Sequence, residues 1–176
     1  LSMLKRTERV YGNRLAQIHG NIRRNWSEVG RRCRQLASAL QRRGIRKGDV
    51  VALLAPNIPE AFECAFAVPM LGAVLNANNT RLDAETLGYI LSHGEAKIFL
   101  VDTEFRKIAE QAVALSGLDI PIIDICDKEG PDADAKTEIS YDDLLAEGDA
   151  EFAYSLPDDE WDALALNYPS GTTGKP

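Results

Sequence analysis

The sequence predicts an α/β fold in which a mostly parallel β-sheet is flanked by helices. Continuously apolar runs, typical of strands that are covered on both faces, occur at 50–55 and 98–101, and a further strand is predicted at 120–125. Between them lie segments whose apolar residues follow helical spacing. Strands and helices therefore alternate along the chain, which is the pattern of a parallel sheet.

The first long helix is predicted to follow Ser27, a residue type that accepts hydrogen bonds from the free N–H groups at a helix start. Its apolar positions repeat at helical spacing: Val29, Cys33, Leu36, Ala37 and Leu40. Gly44 is expected just beyond the end of this helix, because glycine tolerates the left-handed conformation found there.

Two more helices, separated by a short strand at 73–76, are expected next. Pro59 is predicted at the first position of one helix, and Pro69 is predicted to bend or end it. Asp83 is expected to cap the other helix, which should stop near Gly94.

The remainder is predicted to contain a helix at 105–115 and, after the strand at 120–125, an acidic surface loop at 127–138. A short helix is expected at 141–145 and a final strand at 163–168.

The composition is that of an ordinary globular protein, with 176 residues, 45% of them hydrophobic and 27% charged. No apolar run is long enough for a membrane span, and the first residues lack the apolar core of a signal peptide. Cys33 and Cys64 lie among apolar helical positions, so buried and reduced thiols are expected. These features predict a cytoplasmic protein and leave open whether it self-associates as a homo-oligomer.

Charge is distributed unevenly along the chain. Residues 1–50 carry a balance of +10 and the remainder −17, for a net charge of −7. A basic segment can indicate nucleic-acid binding. However, no aromatic residues alternate with the arginines of the first long helix. A solvated helix face, paired with the acidic remainder of the fold, is therefore predicted, and no nucleic acid is expected.

Residues 168–176, the glycine-rich stretch, read Tyr-Pro-Ser-Gly-Thr-Thr-Gly-Lys-Pro and follow an apolar run. Glycines allow backbone N–H groups to curl around an anion, and hydroxyls and a lysine add further donors. The stretch is not a Walker A motif, because only two residues separate Gly171 from Gly174 and Pro176 follows the lysine. The residues alone leave a polar tail as the alternative.

The glycine-rich stretch resembles the phosphate loop of the adenylate-forming enzymes, the superfamily of acyl-CoA synthetases, luciferases and peptide-synthetase adenylation domains. That loop reads approximately [Tyr/Phe]-Thr-Ser-Gly-[Ser/Thr]-Thr-Gly-x-Pro-Lys. Pro169 departs from the pattern, and Lys175 occupies its variable position. The matching positions are Tyr168, Ser170, Gly171, Thr172, Thr173, Gly174 and Pro176.

Segments at 26–40, 44–52, 56–60 and 72–82 are also similar to this family, in the same order. The Asn-Thr-Arg-Leu sequence at 79–82 is typical of the branch that contains the acyl- and aryl-CoA ligases.

The resemblance implies an enzyme that works in two half-reactions. A carboxylic acid attacks the α-phosphate of ATP, accompanied by Mg²⁺, and the thiol of CoA then displaces AMP from the acyl-adenylate. Arg81 is implied as a contact of the CoA phosphates, and an ion pair with Asp83 is the alternative. The residues implied to hold the ATP phosphates are Ser170, Gly171, Thr172, Thr173, Gly174 and Lys175.

Residues 1–176 are expected to be an incomplete N-terminal domain, inactive alone, of a ligase of fatty acid metabolism with a short- or medium-chain substrate. The family's adenine-, Mg²⁺- and ribose-binding residues and its catalytic lysine are expected beyond Pro176. A standalone nucleotide- or CoA-binding module without catalysis is the alternative. A phosphotransferase related to Walker A proteins is disfavoured by the missing motif.

Other polar and aromatic residues are expected to be structural. His19 has no carboxylate or second histidine close by in the sequence, and His93 is expected at a helix C-terminus, where it suits the helix dipole. Trp26 and Trp161 are predicted to lie in or at the edge of the core. The acidic residues at 158–162 are predicted to form a solvated turn rather than a cation site.

Overall fold

The computed structural model describes residues 1–131 and 138–168 and confirms the α/β architecture. The strands are β1 (Leu15–His19), β2 (Ile22–Asn25), β3 (Val50–Leu54), β4 (Val74–Ala77), β5 (Ala96–Asp102) and β6 (Ile122–Ile125). The helices are α1 (Ser2–Tyr11), α2 (Trp26–Arg42), α3 (Pro59–Met70), α4 (Ala84–His93), α5 (Arg106–Ser116) and α6 (Tyr141–Ala146).

Four of the strands form a parallel sheet in the order β4-β3-β5-β6. Val51 of β3 pairs with Leu75 on one side and with Ile98 on the other. The chain therefore passes from β3 outwards to β4 and then crosses back over β3 to reach β5.

Each face of this sheet has its own hydrophobic core. In β3, Val51 and Leu53 belong to the core that α2, α3 and α6 share. Ala52 and Leu54 belong to the core that α4 and α5 share. Successive strand side chains point to opposite faces, so β3 is covered on both sides, which explains its uninterrupted apolar sequence.

Helix α2 begins at Trp26, two residues earlier than a cap at Ser27 would allow. Asn25 is the cap: its side chain accepts a hydrogen bond from the N–H of Glu28 at 2.9 Å, and its own N–H donates to the Glu28 carboxylate at 2.7 Å. The prediction of Ser27 as the cap is therefore wrong, because the reciprocal bonds need a Glu three residues after the cap. Gly44 follows the helix with a φ of 95°, as predicted.

The predicted starts of helices α3 and α4 are confirmed. Pro59 is the first residue of α3, and Pro69 lies in its last turn, immediately before the helix ends at Met70. Asp83 caps α4 by accepting a hydrogen bond from the N–H of Thr86 at 2.7 Å.

The N-terminal helix α1 and the antiparallel β1–β2 hairpin were not apparent in the sequence. α1 contacts the core through Leu4, and the hairpin turns at Gly20, where φ is 49°. Arginines occupy β2 at positions 23 and 24, so this strand lacks the apolar pattern by which the other strands are recognised.

A buried carboxylate joins the hairpin to two helices. Glu63 of α3 is fully buried and accepts hydrogen bonds from Arg32 at 2.6 Å, Arg24 at 3.0 Å and the Tyr141 hydroxyl at 2.8 Å. Burial raises the pKa of Tyr141 well above its usual value, so the phenol stays protonated and donates. The arginines of α2 are thus not simply a solvated face, because Arg32 is committed to this interior network.

We expect Glu63→Ala to lower the free energy of unfolding by about 3–5 kcal/mol, because the buried Tyr141 hydroxyl loses its acceptor and the largely buried guanidinium groups of Arg24 and Arg32 are left with longer contacts such as those to Glu60, at 3.4 and 3.7 Å. Glu147→Ala is the matched control, since Glu147 also binds an arginine, Arg43, but at the surface. It should cost no more than about 1 kcal/mol. Chemical denaturation measures both, and equal losses in the two variants would contradict the role assigned to Glu63.

Candidate functional site

Residues 164–166, which precede the glycine-rich stretch, lie along the edge of the parallel sheet. Leu164 accepts a backbone hydrogen bond from Leu75 of β4 at 3.2 Å, and the N–H of Leu166 donates to the Leu75 carbonyl at 2.9 Å. The predicted strand at 163–168 is therefore only a short parallel bridge, centred on Ala165. Asn76 adds a side-chain bond to the Leu166 carbonyl at 2.8 Å.

Tyr168 is the only residue of the glycine-rich stretch within the described part of the chain. Its hydroxyl lies 2.7 Å from Nδ1 of His93, the last residue of α4. The two rings meet edge to face with centroids 5.8 Å apart, and the Tyr89 ring stacks on His93 with a centroid distance of 5.5 Å. Tyr89, His93 and Tyr168 are called the aromatic cluster below. Desolvation raises the pKa of Tyr168, with Tyr89 adding to the rise, so the hydroxyl keeps its proton at neutral pH.

The aromatic cluster borders a cavity of about 240 Å³ at the amino ends of β3 and β5. Gly94 allows the chain to pass closely, since a Cβ there would lie 3.1 Å from Leu166 Cδ2 and 3.5 Å from the Tyr168 hydroxyl. The cavity is lined by Gly48, Asp49, Val50, His93, Gly94, Glu95, Lys97, Leu166 and Tyr168.

The six residues expected to contact phosphate lie outside the described part of the chain: Ser170, Gly171, Thr172, Thr173, Gly174 and Lys175. Their predicted role stays a prediction.

Arg81 lies in the turn between β4 and α4, where its side chain is exposed. Its backbone N–H donates to Asn79 Oδ1 at 3.0 Å. Asp83 is occupied as the cap of α4, and the described residues include no ion pair between Arg81 and Asp83. The guanidinium of Arg81 therefore faces solvent, as a contact for an anionic ligand would require.

A second cavity, of about 200 Å³, lies where the chain approaches the sheet edge. There Lys47 donates to Asp162 at 2.6 Å. Trp161 is 94% exposed, so the prediction that it lies in or at the edge of the core is wrong. Within residues 1–131 and 138–168 no group of His, Cys, Asp or Glu is arranged to hold a metal ion.

The cysteines and the second histidine add no catalytic group. Cys33 and Cys64 are buried, as predicted, and desolvation raises the pKa of both thiols, which disfavours the nucleophilic thiolate. His19 lies 2.8 Å from the carboxylate of Asp127, which is distant in the sequence, and joins β1 to the loop after β6.

The chain belongs to the family of AMP-binding enzymes, whose pattern matches residues 4–176. This confirms the resemblance to adenylate-forming enzymes that the glycine-rich stretch and the earlier segments indicated. The helices of the described residues include none that is long and apolar enough to cross a membrane.

Curated plant relatives match the whole chain. A probable peroxisomal acyl-activating enzyme 5 of Arabidopsis thaliana is 42% identical, and a 2-methylpropanoate–CoA ligase of Humulus lupulus is 40% identical. The acetate/butyrate–CoA ligase AAE7 of Arabidopsis thaliana, also named as peroxisomal, is 41% identical. In each comparison 100% of this chain covers 33% of the relative, so the chain spans about a third of their length.

Solved structures give the same picture. The anthranilate CoA ligase AuaEII, crystallised with anthranoyl-AMP, superposes with a TM-score of 0.87 at 27% identity, over 99% of this chain and 33% of that one. A fatty acyl CoA synthetase of Mycobacterium tuberculosis gives 0.81 at 26% identity, over 97% and 32%. The fold is therefore that of the N-terminal region of acyl-CoA ligases.

Proposed function

We propose that the full-length protein is an ATP-dependent acid–CoA ligase. A carboxylic acid attacks the α-phosphate of ATP, a P–O bond forms to the acyl oxygen, and pyrophosphate leaves. The CoA thiol then attacks the acyl carbon, and AMP leaves with the electron pair of the broken C–O bond. Membership of the AMP-binding family and 40–42% identity to proteins named as CoA ligases or acyl-activating enzymes support this proposal.

The glycine-rich stretch is assigned to the pyrophosphate part of ATP. Phosphate substitution depends mainly on positioning and on neutralising charge, and curled backbone N–H groups supply both without a bulky side chain. Gly171 and Gly174 allow close approach, while the hydroxyls of Ser170, Thr172 and Thr173 and the charge of Lys175 add donors. Mg²⁺ accompanies ATP as its counter-ion.

Residues 1–176 form, in this proposal, an incomplete N-terminal domain. The coverage of about a third of the relatives supports it. The acid is assigned to the short- and medium-chain fatty acids, in keeping with relatives named for acetate, butyrate and 2-methylpropanoate.

The buried reduced thiols favour a cytoplasmic protein, although several relatives are named as peroxisomal. Microscopy of the tagged full-length protein distinguishes the two compartments.

Gly174→Val in the full-length protein should reduce acid-dependent pyrophosphate exchange by about 100-fold or more, because the added side chain obstructs the donors that stabilise transferring charge. Ala153→Val is the control, since it places the same side chain at an exposed position. Normal exchange by Gly174→Val would refute the phosphate assignment.

Arg81→Ala should raise KM for CoA about tenfold, the value of one charge-assisted phosphate contact, and leave pyrophosphate exchange unchanged. Arg31→Ala, at another exposed arginine, should affect neither step. The same KM for CoA in Arg81→Ala and Arg31→Ala would exclude a contact between Arg81 and CoA.

A panel of carboxylic acids assayed by pyrophosphate exchange tests the substrate class. Short- and medium-chain fatty acids should support exchange by the full-length protein, and residues 1–176 alone should support none. Exchange with cinnamate or anthranilate but with no fatty acid would overturn the fatty-acid assignment. Exchange by the fragment would overturn the incomplete-domain assignment.

A further inference from the structure

Tyr168, the first residue of the glycine-rich stretch, is held in place by a side-chain contact. Backbone bonds to Leu75 hold the chain up to Leu166. Beyond that point, Asn167 is exposed, and Tyr168 is attached to α4 by the 2.7 Å contact with His93. Tyr168 is therefore held in two ways: the preceding residues pair with β4, and its own hydroxyl contacts His93 at the end of α4.

Residues at the C-terminal end of α4 form the contact surface for Tyr168. Tyr89 and His93 lie one helical turn apart on α4, which places their rings on the same face. Tyr89 stacks on His93 with an interplanar angle of 24°, and this restricts the imidazole so that Nδ1 faces Tyr168. Gly94 leaves room for Leu166, because a Cβ there would lie only 3.1 Å from Leu166 Cδ2.

We infer that His93 is a positioning residue for the phosphate-binding step: through Tyr168 it fixes the point from which the glycine-rich stretch starts. This inference rests on the proposed function. Ordering a loop costs conformational entropy for each residue that is fixed. A starting point that is already held in the free protein reduces the part of this cost that ATP binding must offset.

The test uses the full-length protein and pyrophosphate exchange, with KM for ATP and for the acid determined separately. His93→Ala and Tyr168→Phe should each raise KM for ATP roughly fivefold, the value of one partly exposed hydrogen bond. KM for the acid should stay unchanged. Tyr168→Phe removes one oxygen and keeps the ring, so it carries the test even if His93→Ala unfolds.

Two further variants separate positioning from general stability. The double variant should have the same KM for ATP as either single variant, because both remove the same bond. His93→Asn should restore part of the ATP affinity, since its amide places a polar atom near the position of Nδ1. His19→Ala is the matched control: it also removes a histidine contact of similar length, 2.8 Å to Asp127, and should leave KM for ATP unchanged.

The outcomes distinguish this inference from the proposed function. An unchanged KM for ATP in Tyr168→Phe, or additive effects in the double variant, overturns the inference about His93. If Gly174→Val still abolishes exchange in that case, the phosphate assignment stands without it. If Gly174→Val supports normal pyrophosphate exchange, the phosphate assignment of the glycine-rich stretch is refuted, whatever the result for His93.

Discussion

Backbone pairing between Leu75 and residues 164–166 is the constraint that connects the fold of this chain to its chemistry. Without it, the glycine-rich stretch would follow a long surface segment with no fixed relation to the sheet. A short bridge suffices because β4 is itself held by β3, whose side chains are buried on both faces. The position of Tyr168, the first residue of the stretch, thus depends on the best-buried strand of the sheet.

Local signals in the sequence predict the elements around this constraint. Pro59 and Asp83 mark helix starts because each acts on backbone groups within a few residues. The apolar run of β3 identifies a buried strand for the same local reason. The cap of α2 was misassigned by two positions, since Ser27 and Asn25 are both good caps and only the position of Glu28 decides between them. The glycine-rich stretch was recognisable by its residues, but its attachment to α4 was not.

What the sequence could not predict depends on contacts between distant residues. Glu63 looks like an exposed glutamate on a helix, whereas its partners Arg24 and Tyr141 lie far away along the chain in both directions. The same holds for His93, which meets Tyr168 across 75 residues. Trp161 gave the opposite error, because aromatic character predicts burial in general and says nothing about a particular turn.

The two attachments of Tyr168, to β4 through residues 164–166 and to α4 through His93, depend on the two hydrophobic cores. The core between the sheet and helices α4 and α5 fixes the end of α4, and with it His93. The opposite core and the Glu63 network fix the hairpin and α2, and this core also contains Leu75, the strand residue that pairs with residues 164–166. A change near Glu63 therefore acts through overall stability, whereas a change in α4 acts on the start of the proposed phosphate loop. The placement of Tyr168 therefore draws on both faces of the sheet, through Leu75 on one side and the end of α4 on the other.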